Sequence, residues 1–348
     1  RDGPDQAFRL ACPRLPAPLH SAITLLRAAG LSWAERLAAV RAMNTAKRLG
    51  WRLPADTTVQ AWLESQGQST QLIRCLWEPL TLAALNTPIA TASAQVLLNV
   101  LRDSLAADRA ASDFLVPRAD LSALFPDAAG AYITTQGGQV QLGAMVKSLE
   151  HNAAGWHTDR GDQHYRAVVL ALPPHRLAML TSTNPAVVSA TAATQGWAYQ
   201  PIYTVYLGFP EGTRLPKPML GMVNTTTQWL FDRGAWCGQP GIISAVVSAE
   251  GPHQRLSQDA LAELVIAETL RACPDLPQPL WHKVIAEKRA TFACTPGLLR
   301  PGNATQDTSL VLAGDYTAGD YPATIEGAVR SGVAAARLLL SPGTVTSY

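Results

Sequence analysis

The spacing of apolar residues changes along the chain, and the change predicts where helices give way to strands. From residue 15 to residue 110, apolar side chains recur at helical spacing, which predicts a nearly all-helical block. Within that block, Ser32 followed by Trp33 and Glu35 is typical of an N-capped helix start. The apolar stretch Ile73–Leu85 and the segment Ala92–Leu105 extend the helical block.

After residue 136 the apolar pattern becomes that of strands. Gly137–Gly143 and Val146–Leu149 alternate like short strands or turns, and Trp156–Tyr165 is typical of a hairpin. Ala167–Leu172 is a continuous apolar run ended by two prolines, which predicts a buried strand of the parallel type. One helix is predicted at Gln258–Arg271, and further strands are predicted at Ile202–Phe209, Trp229–Asp232, Ile242–Ser248 and Val284–Cys294.

The last part of the chain predicts a strand, a loop and a helix in close succession. Leu310–Ala313 is a buried apolar run that stops at Gly314 and Asp315. Pro322 and Thr324 then begin a helix whose small residues Gly327, Ser331 and Ala335 lie on one line. Such a stripe allows close packing, and the unpaired N–H groups of the helix start favour an anion or a developing negative charge. An ordinary strand–loop–helix with a small packing face is the alternative interpretation.

Composition and charge narrow the class of protein. The chain has 348 residues, of which 47% are hydrophobic and only 16% charged, as expected for large apolar contact surfaces. Its net charge of +2 does not favour a nucleic-acid partner. Five scattered cysteines form neither a CxxC pair nor a metal-ligand spacing, so we predict no metal site and reduced thiols, as in a cytoplasmic protein.

Gly314-Asp315, followed by Ile325–Gly332, resembles the C-terminal flavin-binding segment of the flavin amine oxidase and phytoene desaturase superfamily. The resemblance implies that FAD is the cofactor. The segment holds no His or Cys for a covalent link, so non-covalent FAD is expected. In that superfamily a strand valine also reaches the adenine through its backbone, and Val146 in the stretch Gly137–Leu149 is the candidate here. The implied cofactor-binding residues are Val146, Gly314, Asp315, Thr324, Glu326, Gly327 and Ala328.

The predicted fold class is a mixture of α and β elements. The resemblance implies an FAD/NAD(P)-binding Rossmann-like domain that carries an inserted helical and antiparallel-sheet substrate domain. The strand–GxGxxG–helix that opens such enzymes does not occur in the chain, so the N-terminal βαβ unit is expected to be missing. The predicted parts are a helical substrate- or membrane-facing part at 1–130, FAD-domain strands at 131–180, a β-rich substrate domain at 181–295 and the C-terminal FAD-binding strand and helix at 296–348.

Four stretches narrow the resemblance to the hydroxysqualene dehydroxylases, also called squalene-associated FAD-dependent desaturases: Leu76–Pro88, Leu97–Ser104, Pro201–Leu207 and Glu287–Gly297. The resemblance runs from Phe8 to Leu340 and implies reductive removal of the hydroxyl of hydroxysqualene, giving squalene for hopanoid biosynthesis. Alternatives are a carotenoid-type desaturase or an amine oxidase of the same superfamily. A third alternative is an inactive lipid-binding fragment, because the GxGxxG unit is absent.

Such a reaction needs a proton or a strong donor for the leaving hydroxide and an apolar, aromatic pocket for the allylic carbon. Asp232, Lys288 and Arg289 are the predicted catalytic residues, as proton donors or orienting groups. The implied partners are a C30 isoprenoid lipid, the inner face of the cytoplasmic membrane and other squalene-pathway enzymes. The amphipathic segment Pro16–Arg27 is the predicted membrane-facing helix, and packing against its own domain is the alternative. Candidate pocket aromatics are Trp77, Trp197, Tyr199, Tyr203, Tyr206, Trp229, Phe231 and Trp236.

Overall fold

The computed structural model describes residues 13, 15, 19–106 and 110–340, which divide into two compact units. The first unit comprises the described residues up to Gly138 together with Tyr199–Pro296. The second unit comprises Gln139–Ala198 and the described residues from Gly297 onward. Each unit is therefore assembled from two separate stretches of the chain.

The helices of the described residues are numbered in chain order. Their bounds are α1 Leu19–Leu26, α2 Trp33–Arg48, α3 Val59–Ser65, α4 Thr70–Leu72, α5 Glu78–Leu85, α6 Ala94–Leu101, α7 Leu121–Leu124, α8 Pro126–Thr135, α9 Pro174–Leu177, α10 Pro185–Ala193, α11 Arg233–Cys237, α12 Gln258–Ala272 and α13 Ile325–Leu340. Short π-helical segments follow α4 at Ile73–Trp77 and α6 at Arg102–Ala106, and 3₁₀ turns lie at Ala110–Ser112 and Pro252–Arg255.

The strands found among the described residues form three separate sheets. Their bounds are β1 Leu149–Asn152, β2 Gly155–Thr158, β3 His164–Tyr165, β4 Val168–Leu170, β5 Tyr199–Gly208, β6 Met219–Gly221, β7 Trp229–Asp232, β8 Ile242–Ser248, β9 Trp281–Phe292 and β10 Leu310–Leu312. The sheet orders are β1-β2-β3, β10-β4 and β6-β7-β8-β5-β9. β4 and β10 run parallel, whereas every other strand pair is antiparallel.

The helical block begins where side-chain caps satisfy free backbone N–H groups. The Ser32 hydroxyl accepts from the Glu35 N–H, and the Glu35 carboxylate accepts from the Ser32 N–H, which makes a complete capping box before α2. Deeper in the block, the Trp77 indole donates to the buried side chain of Gln68 at 2.9 Å. α1–α6 and the two π-helical segments confirm the helical block predicted at 15–110 over the described residues 19–106.

A five-stranded antiparallel sheet and α12 supply the main core of the first unit. Side chains alternate between the two faces of a strand, so Val205 and Leu207 lie on one face, together with their β8 partners Ala245 and Ile243. All four are buried in the cluster that also contains residues of α12. Full burial of an aliphatic side chain contributes roughly 1.5–3 kcal/mol. The strands predicted at 202–209, 229–232, 242–248 and 284–294 are confirmed, with β9 beginning three residues earlier than predicted.

Asn86 joins the helical block to one end of this sheet. It is buried, it ends α5, and its φ of 45° places it in the left-handed region. Its amide nitrogen donates to the Thr291 hydroxyl at 2.9 Å and to the Pro201 carbonyl at 3.4 Å. Its amide oxygen accepts from the Ala249 N–H at 2.7 Å. Because β5 is bulged between Gln200 and Ile202, Asn86 binds the sheet at its irregular end.

The second unit contains the parallel pair and the last helix. Val311 and Ala313 of the β10 strand region pack against Ala335 of α13 in a small buried cluster. The pairing of Leu310 with Val168 confirms the strands predicted at Ala167–Leu172 and Leu310–Ala313, and its direction confirms the parallel type predicted for the first of them. β1, β2 and β3 form a meander, which confirms the predicted hairpin.

Sequence patterns missed some elements. Gly137–Gly143, predicted as short strands or turns, contains turns and no strand, whereas Val146–Leu149, predicted in the same way, reaches a bridge from Ser148 to Thr181 and the first residue of β1. α7 and α8 were not predicted, and the structure buries none of their residues, so that Leu121, Leu124, Phe125 and Tyr132 are exposed. Helix α10 was not predicted either. It begins with Asn184 as the N-cap and Pro185 in the first turn, which is a typical helix start, but the segment lies between predicted strands.

Candidate active site

The turn after β10 is held by a glycine that no other residue could replace without strain. Gly314 has a φ of 150°, and a Cβ atom there would lie 2.6 Å from the ring of the buried Tyr316. The Gly314 N–H donates to the Ser331 hydroxyl of α13 at 3.0 Å. Ser331 also accepts from the Asn303 amide at 2.8 Å and shares a hydrogen bond of 2.7 Å with Thr317. The turn is therefore fixed to the last helix through one buried hydroxyl.

Asp315, next in the turn, carries a partly buried carboxyl group. Burial raises its pKa above the usual range, and the positive charge of Arg300 and the backbone N–H of Tyr316 oppose that rise. An ionised carboxyl group offers about four lone-pair sites. The hydrogen bond from the Tyr316 N–H therefore leaves acceptor capacity on the Asp315 carboxylate. Asp315 can therefore accept a further hydrogen bond from a ligand hydroxyl.

Arg300 is a residue of this segment that sequence reasoning missed. Its guanidinium donates to the carbonyl oxygens of Gly319 and Tyr321, so it holds the loop between Asp315 and α13. Arg330 of α13 lies over the Tyr321 ring at 5.0 Å and braces the same loop. The contacts join Arg300 to residues about 20 positions away, and no periodic pattern signals such a contact.

The start of α13 lies beside Asp315. Thr324 caps the helix: its hydroxyl accepts from the Gly327 N–H at 3.1 Å, and its carbonyl accepts from the Ala328 N–H at 3.0 Å. A Cβ atom at Gly327 would come within 3.4 Å of Thr324 and Pro322 and 3.9 Å from the Asp315 Cα. Glycine at 327 therefore lets the helix start approach the turn closely.

These hydrogen bonds determine which N–H groups of the helix start remain available. The N–H groups of Gly327 and Ala328, two of the implied cofactor-binding residues, are bonded within the protein, and the contact of these residues with the cofactor remains a prediction. Among the described residues, no acceptor binds the N–H groups of Ile325 and Glu326, so these two donors are the ones available to a ligand. The Glu326 side chain is exposed and pairs with Arg330 at 2.6 Å.

Val146 lies in the irregular stretch ahead of β1, with an exposed side chain. The two residues that follow it are fixed, because the Lys147 and Ser148 N–H groups both donate to the Asp159 carboxylate. These bonds pull the pKa of Asp159 below its usual range. No hydrogen bond joins Val146 to the turn at Gly314 in the described part of the chain, so its contact with the adenine remains a prediction.

Asp232, predicted as a catalytic residue, has a structural role that occupies both of its oxygens. The side chain is only 3% exposed. One carboxylate oxygen accepts from the Leu215 N–H at 3.1 Å, and the other caps α11 by accepting from the Ala235 N–H at 3.0 Å. Both carboxylate oxygens of Asp232 therefore bind the main chain of the protein, and its role as a catalytic residue remains a prediction.

Asp232→Ala is expected to lower the free energy of unfolding by about 2–3 kcal/mol, because it leaves a buried backbone N–H without an acceptor and removes a helix cap. Chemical denaturation measures the loss. Asp120→Ala is the matched control, since Asp120 caps α7 from an exposed position by accepting from Ala123. An Asp232→Ala protein as stable as the control would contradict the structural role.

Lys288 and Arg289 lie on β9, at the edge of the five-stranded sheet, and both are exposed. The Arg289 N–H donates to the Glu287 carboxylate, and the Arg289 guanidinium lies 5.9 Å from the centre of the Tyr199 ring. Their side chains are therefore open to a ligand, and their catalytic roles remain predictions.

Four of the candidate aromatics gather on one face of the sheet. Phe231 and Tyr206 both pair with Ser244, and Trp229 pairs with Val246, so all three point away from the face that packs on α12. Phe231 contacts the ring of Trp236 at 5.8 Å, and the Arg233 guanidinium lies 5.6 Å from the Tyr206 ring. This face is partly exposed and suits an apolar or unsaturated ligand. Tyr203 and Trp77, by contrast, lie in the interior.

Glu78 is a second ionisable group that sequence reasoning did not select. It begins α5 directly after the π-helical segment Ile73–Trp77, a kind of irregularity that is frequent near functional sites. Burial raises the pKa of Glu78, and Arg74 partly opposes the rise. A carboxyl group with a raised pKa keeps its proton at higher pH and is a candidate general acid.

The profile of the flavin-containing amine oxidoreductases matches residues 6–340. The chain belongs to this family. Family membership makes it a flavoprotein of the oxidoreductase class, with FAD as the cofactor. The residues of the Gly314–Ala328 segment fit such a group: a partly buried carboxylate with spare acceptor capacity lies beside two unpaired N–H donors and a glycine-lined close approach.

Relatives of known activity extend the comparison. The chain is 31% identical over 272 residues to a hydroxysqualene dehydroxylase of Rhodopseudomonas palustris, which covers 76% of the chain and 62% of that protein. It is 32% identical over 283 residues to the hydroxysqualene dehydroxylase of Sinorhizobium fredii, covering 78% and 63%. The chain thus spans a little under two thirds of the length of these relatives.

Solved structures support the fold. An oxidoreductase from Methanosarcina mazei superposes with a TM-score of 0.66 at 13% identity, over 88% of this chain and 73% of that one. The cyclohexylamine oxidase from Brevibacterium oxydans superposes with a TM-score of 0.58 at 16% identity, over 97% and 77%. Both confirm a mixed α/β fold with an antiparallel-sheet part.

Proposed function

We propose that the protein is an FAD-dependent oxidoreductase that converts hydroxysqualene to squalene by reductive dehydroxylation in hopanoid biosynthesis. The observation that carries the proposal is the 31–32% identity to two hydroxysqualene dehydroxylases, which spans both structural units. The aromatic sheet face also supports it, because an extended isoprenoid needs a large apolar surface.

In the proposed reaction the cofactor supplies the hydride, and the protein binds the cofactor and supplies the proton. Reduced FAD, when bound, supplies the hydride that adds to the allylic carbon as the carbon–oxygen bond breaks. Asp315 would accept a hydrogen bond from a hydroxyl of the cofactor. The Ile325 and Glu326 N–H groups would stabilise negative charge at the helix start. The leaving hydroxide takes a proton and departs as water, and Lys288, Arg289 and Glu78 are the candidate donors or orienting groups.

We also propose that a strand–GxGxxG–helix unit completes the cofactor-binding sheet beside β4. Within the described chain, β4 pairs only with β10, and its Val169 is 44% exposed although it lies in an apolar strand. Parallel strands are normally covered on both faces and extended at their edges by further strands. Glycines at such a strand end would receive the pyrophosphate.

We infer that the protein works at the cytoplasmic face of a membrane, where its substrate is dissolved and other squalene-pathway enzymes deliver it. The basis is the chemistry of the substrate, because a C30 isoprenoid alcohol is nearly insoluble in water. Within the described residues, no helix has the length and apolar character needed to cross a bilayer.

A labelled-hydride experiment tests the reaction. The natural full-length protein, loaded with FAD and reduced anaerobically with a deuteride donor, is expected to give squalene carrying one deuterium. Mass spectrometry detects the label, and a parallel incubation in deuterated water measures exchange between the reduced flavin and solvent. Unlabelled squalene, after correction for exchange, would exclude direct hydride transfer.

The same experiment separates the second candidate, a carotenoid-type desaturase. The chain is 31% identical over 108 residues to the zeta-carotene desaturase of Synechocystis, a match over 30% of the chain. A desaturase would leave hydroxysqualene unreduced, and its oxidised form would dehydrogenate a polyene substrate instead.

A further inference from the structure

We propose that the solvent face of α2 binds the surface of an anionic lipid bilayer. The α2 face consists of Trp33, Leu37, Arg41, Asn44 and Arg48. This surface differs from the membrane-facing helix that the sequence pattern predicted at Pro16–Arg27. Within that segment, Leu19–Leu26 form α1. The inference concerns how the protein reaches a membrane and does not depend on which reaction the flavin performs.

The spacing of these residues places them on one side of the helix. They follow one another at intervals of three or four positions, so their side chains form a continuous stripe. Ala39, Ala42 and Ala46, which lie on the opposite side, are fully buried. The burial of the alanines fixes the rotation of α2, and the stripe therefore faces solvent.

The stripe combines apolar and basic side chains in an order suited to a membrane surface. Trp33 is 66% exposed and Leu37 is 43% exposed, so both are free to enter the interfacial layer. Arg41 and Arg48 are also exposed and lie further along the helix, where they can bind lipid phosphates. Arg36 braces the apolar end: it lies 4.8 Å from the centre of the Trp33 ring and donates to the carbonyl oxygens of Leu26 and Leu31.

Charge complementarity selects an anionic surface as the partner. Residues 19–53 contain six basic residues and one acidic residue, a formal charge of +5, whereas the whole chain carries only +2. Each Lys or Arg near an anionic leaflet contributes about 1 kcal/mol of attraction. A second copy of the chain would bring two faces of like charge together, so self-association through α2 is disfavoured.

The exposed apolar surface of the α7–α8 region lacks this complementarity. Leu121, Leu124, Phe125 and Tyr132 of the α7–α8 region are exposed, but only Arg118 is basic there, against Asp113, Asp120 and Asp127. Its net charge is therefore negative, and anionic lipid would repel it. Exposed Trp and Leu on the α2 face likewise favour lipid over nucleic acid, whose phosphates attract basic residues without needing an apolar stripe.

Vesicle sedimentation tests the proposal. The purified protein is expected to bind phosphatidylcholine vesicles that contain phosphatidylglycerol, and to bind far more weakly to vesicles of phosphatidylcholine alone. Arg41→Gln with Arg48→Gln is expected to lower the partition coefficient about thirtyfold. Trp33→Ala with Leu37→Ala is expected to lower it by a similar or larger factor.

Two control variants make the test specific. Lys217→Gln with Lys283→Gln removes the same charge from exposed positions elsewhere and is expected to leave binding nearly unchanged. Leu121→Ala with Leu124→Ala removes apolar surface from the α7–α8 region and is also expected to have little effect. Circular dichroism and thermal unfolding verify that each variant is folded.

Several results would overturn the inference. They are the absence of binding to anionic vesicles, equal losses in the Arg41/Arg48 and Lys217/Lys283 variants, and loss of binding only in the Leu121/Leu124 variant. Displacement of vesicles by duplex DNA with higher affinity would assign the face to nucleic acid instead. A failed squalene assay leaves the membrane inference intact, because vesicle binding requires no turnover.

Discussion

Gly314→Ala is expected to destabilise the second structural unit by about 3–5 kcal/mol and to abolish flavin retention. The new Cβ atom would lie 2.6 Å from the ring of Tyr316, which is buried. The φ of 150° adds backbone strain for any residue with a side chain. Relief of the clash would shift Asp315 away from the start of α13. Urea denaturation measures the first effect, and flavin absorbance after gel filtration measures the second.

Gly332→Ala is the matched control for that experiment. Gly332 lies inside α13, and a Cβ atom there would meet nothing within 4 Å. The substitution is expected to stabilise the helix by about 0.5–1 kcal/mol and to leave flavin binding unchanged. A Gly314→Ala protein that keeps its flavin as well as the control would show that the turn tolerates a side chain, contrary to the described geometry.

Asn86→Ala is expected to reduce the stability of the first unit by about 2–4 kcal/mol. The side chain binds three elements at once: the bulged start of β5, the end of β9 and the residue after β8. Its loss leaves buried polar groups at Ala249 and Thr291 with fewer partners. Alanine also tolerates the left-handed conformation less well than asparagine does. Chemical denaturation of the purified protein gives the change.

Two further substitutions at position 86 separate the causes of the loss. Asn86→Gly removes the hydrogen bonds but relieves the backbone strain, so it is expected to be less damaging than Asn86→Ala. Asn86→Asp keeps the acceptor for the Ala249 N–H but loses the donors to Pro201 and Thr291. Equal stability of all three variants and the unchanged protein would show that the side chain does not join helix and sheet.

The sequence predicted local order well where one physical signal dominated. Ser32 with Glu35 marked a helix start because the capping box is a contact between neighbours in sequence. The apolar runs Ala167–Leu172 and Leu310–Ala313 predicted two strands, the first of the parallel type, and the strands pair with each other in parallel. Flavin chemistry, by contrast, came from the resemblance of the Gly314–Gly332 segment to a known family, and the family profile confirmed it.

The missed features depend on contacts between residues far apart in the chain. Arg300 holds the loop at Gly319 and Tyr321 through backbone carbonyls, which carry no side-chain signature. Asp232 resembled a catalytic acid because it ended an apolar strand. Its partner Leu215, however, lies 17 residues earlier and offers only a backbone N–H. Both Arg300 and Asp232 thus bind main-chain groups of distant residues. The identity of a side chain alone does not predict such hydrogen bonds.

The two-stretch composition of each unit has a consequence for how the chain folds. β4 and β10 are separated in sequence by a segment that includes Tyr199–Pro296, roughly 100 residues that belong to the first unit. The two strands can therefore pair only by closing a long loop. Closing so long a loop costs entropy, but the cost rises by only about 0.6 kcal/mol for each doubling of loop length. Compact folding of the intervening sheet would shorten the effective loop. The antiparallel sheet is therefore expected to form early, and the cofactor-binding segment is expected to acquire its structure last.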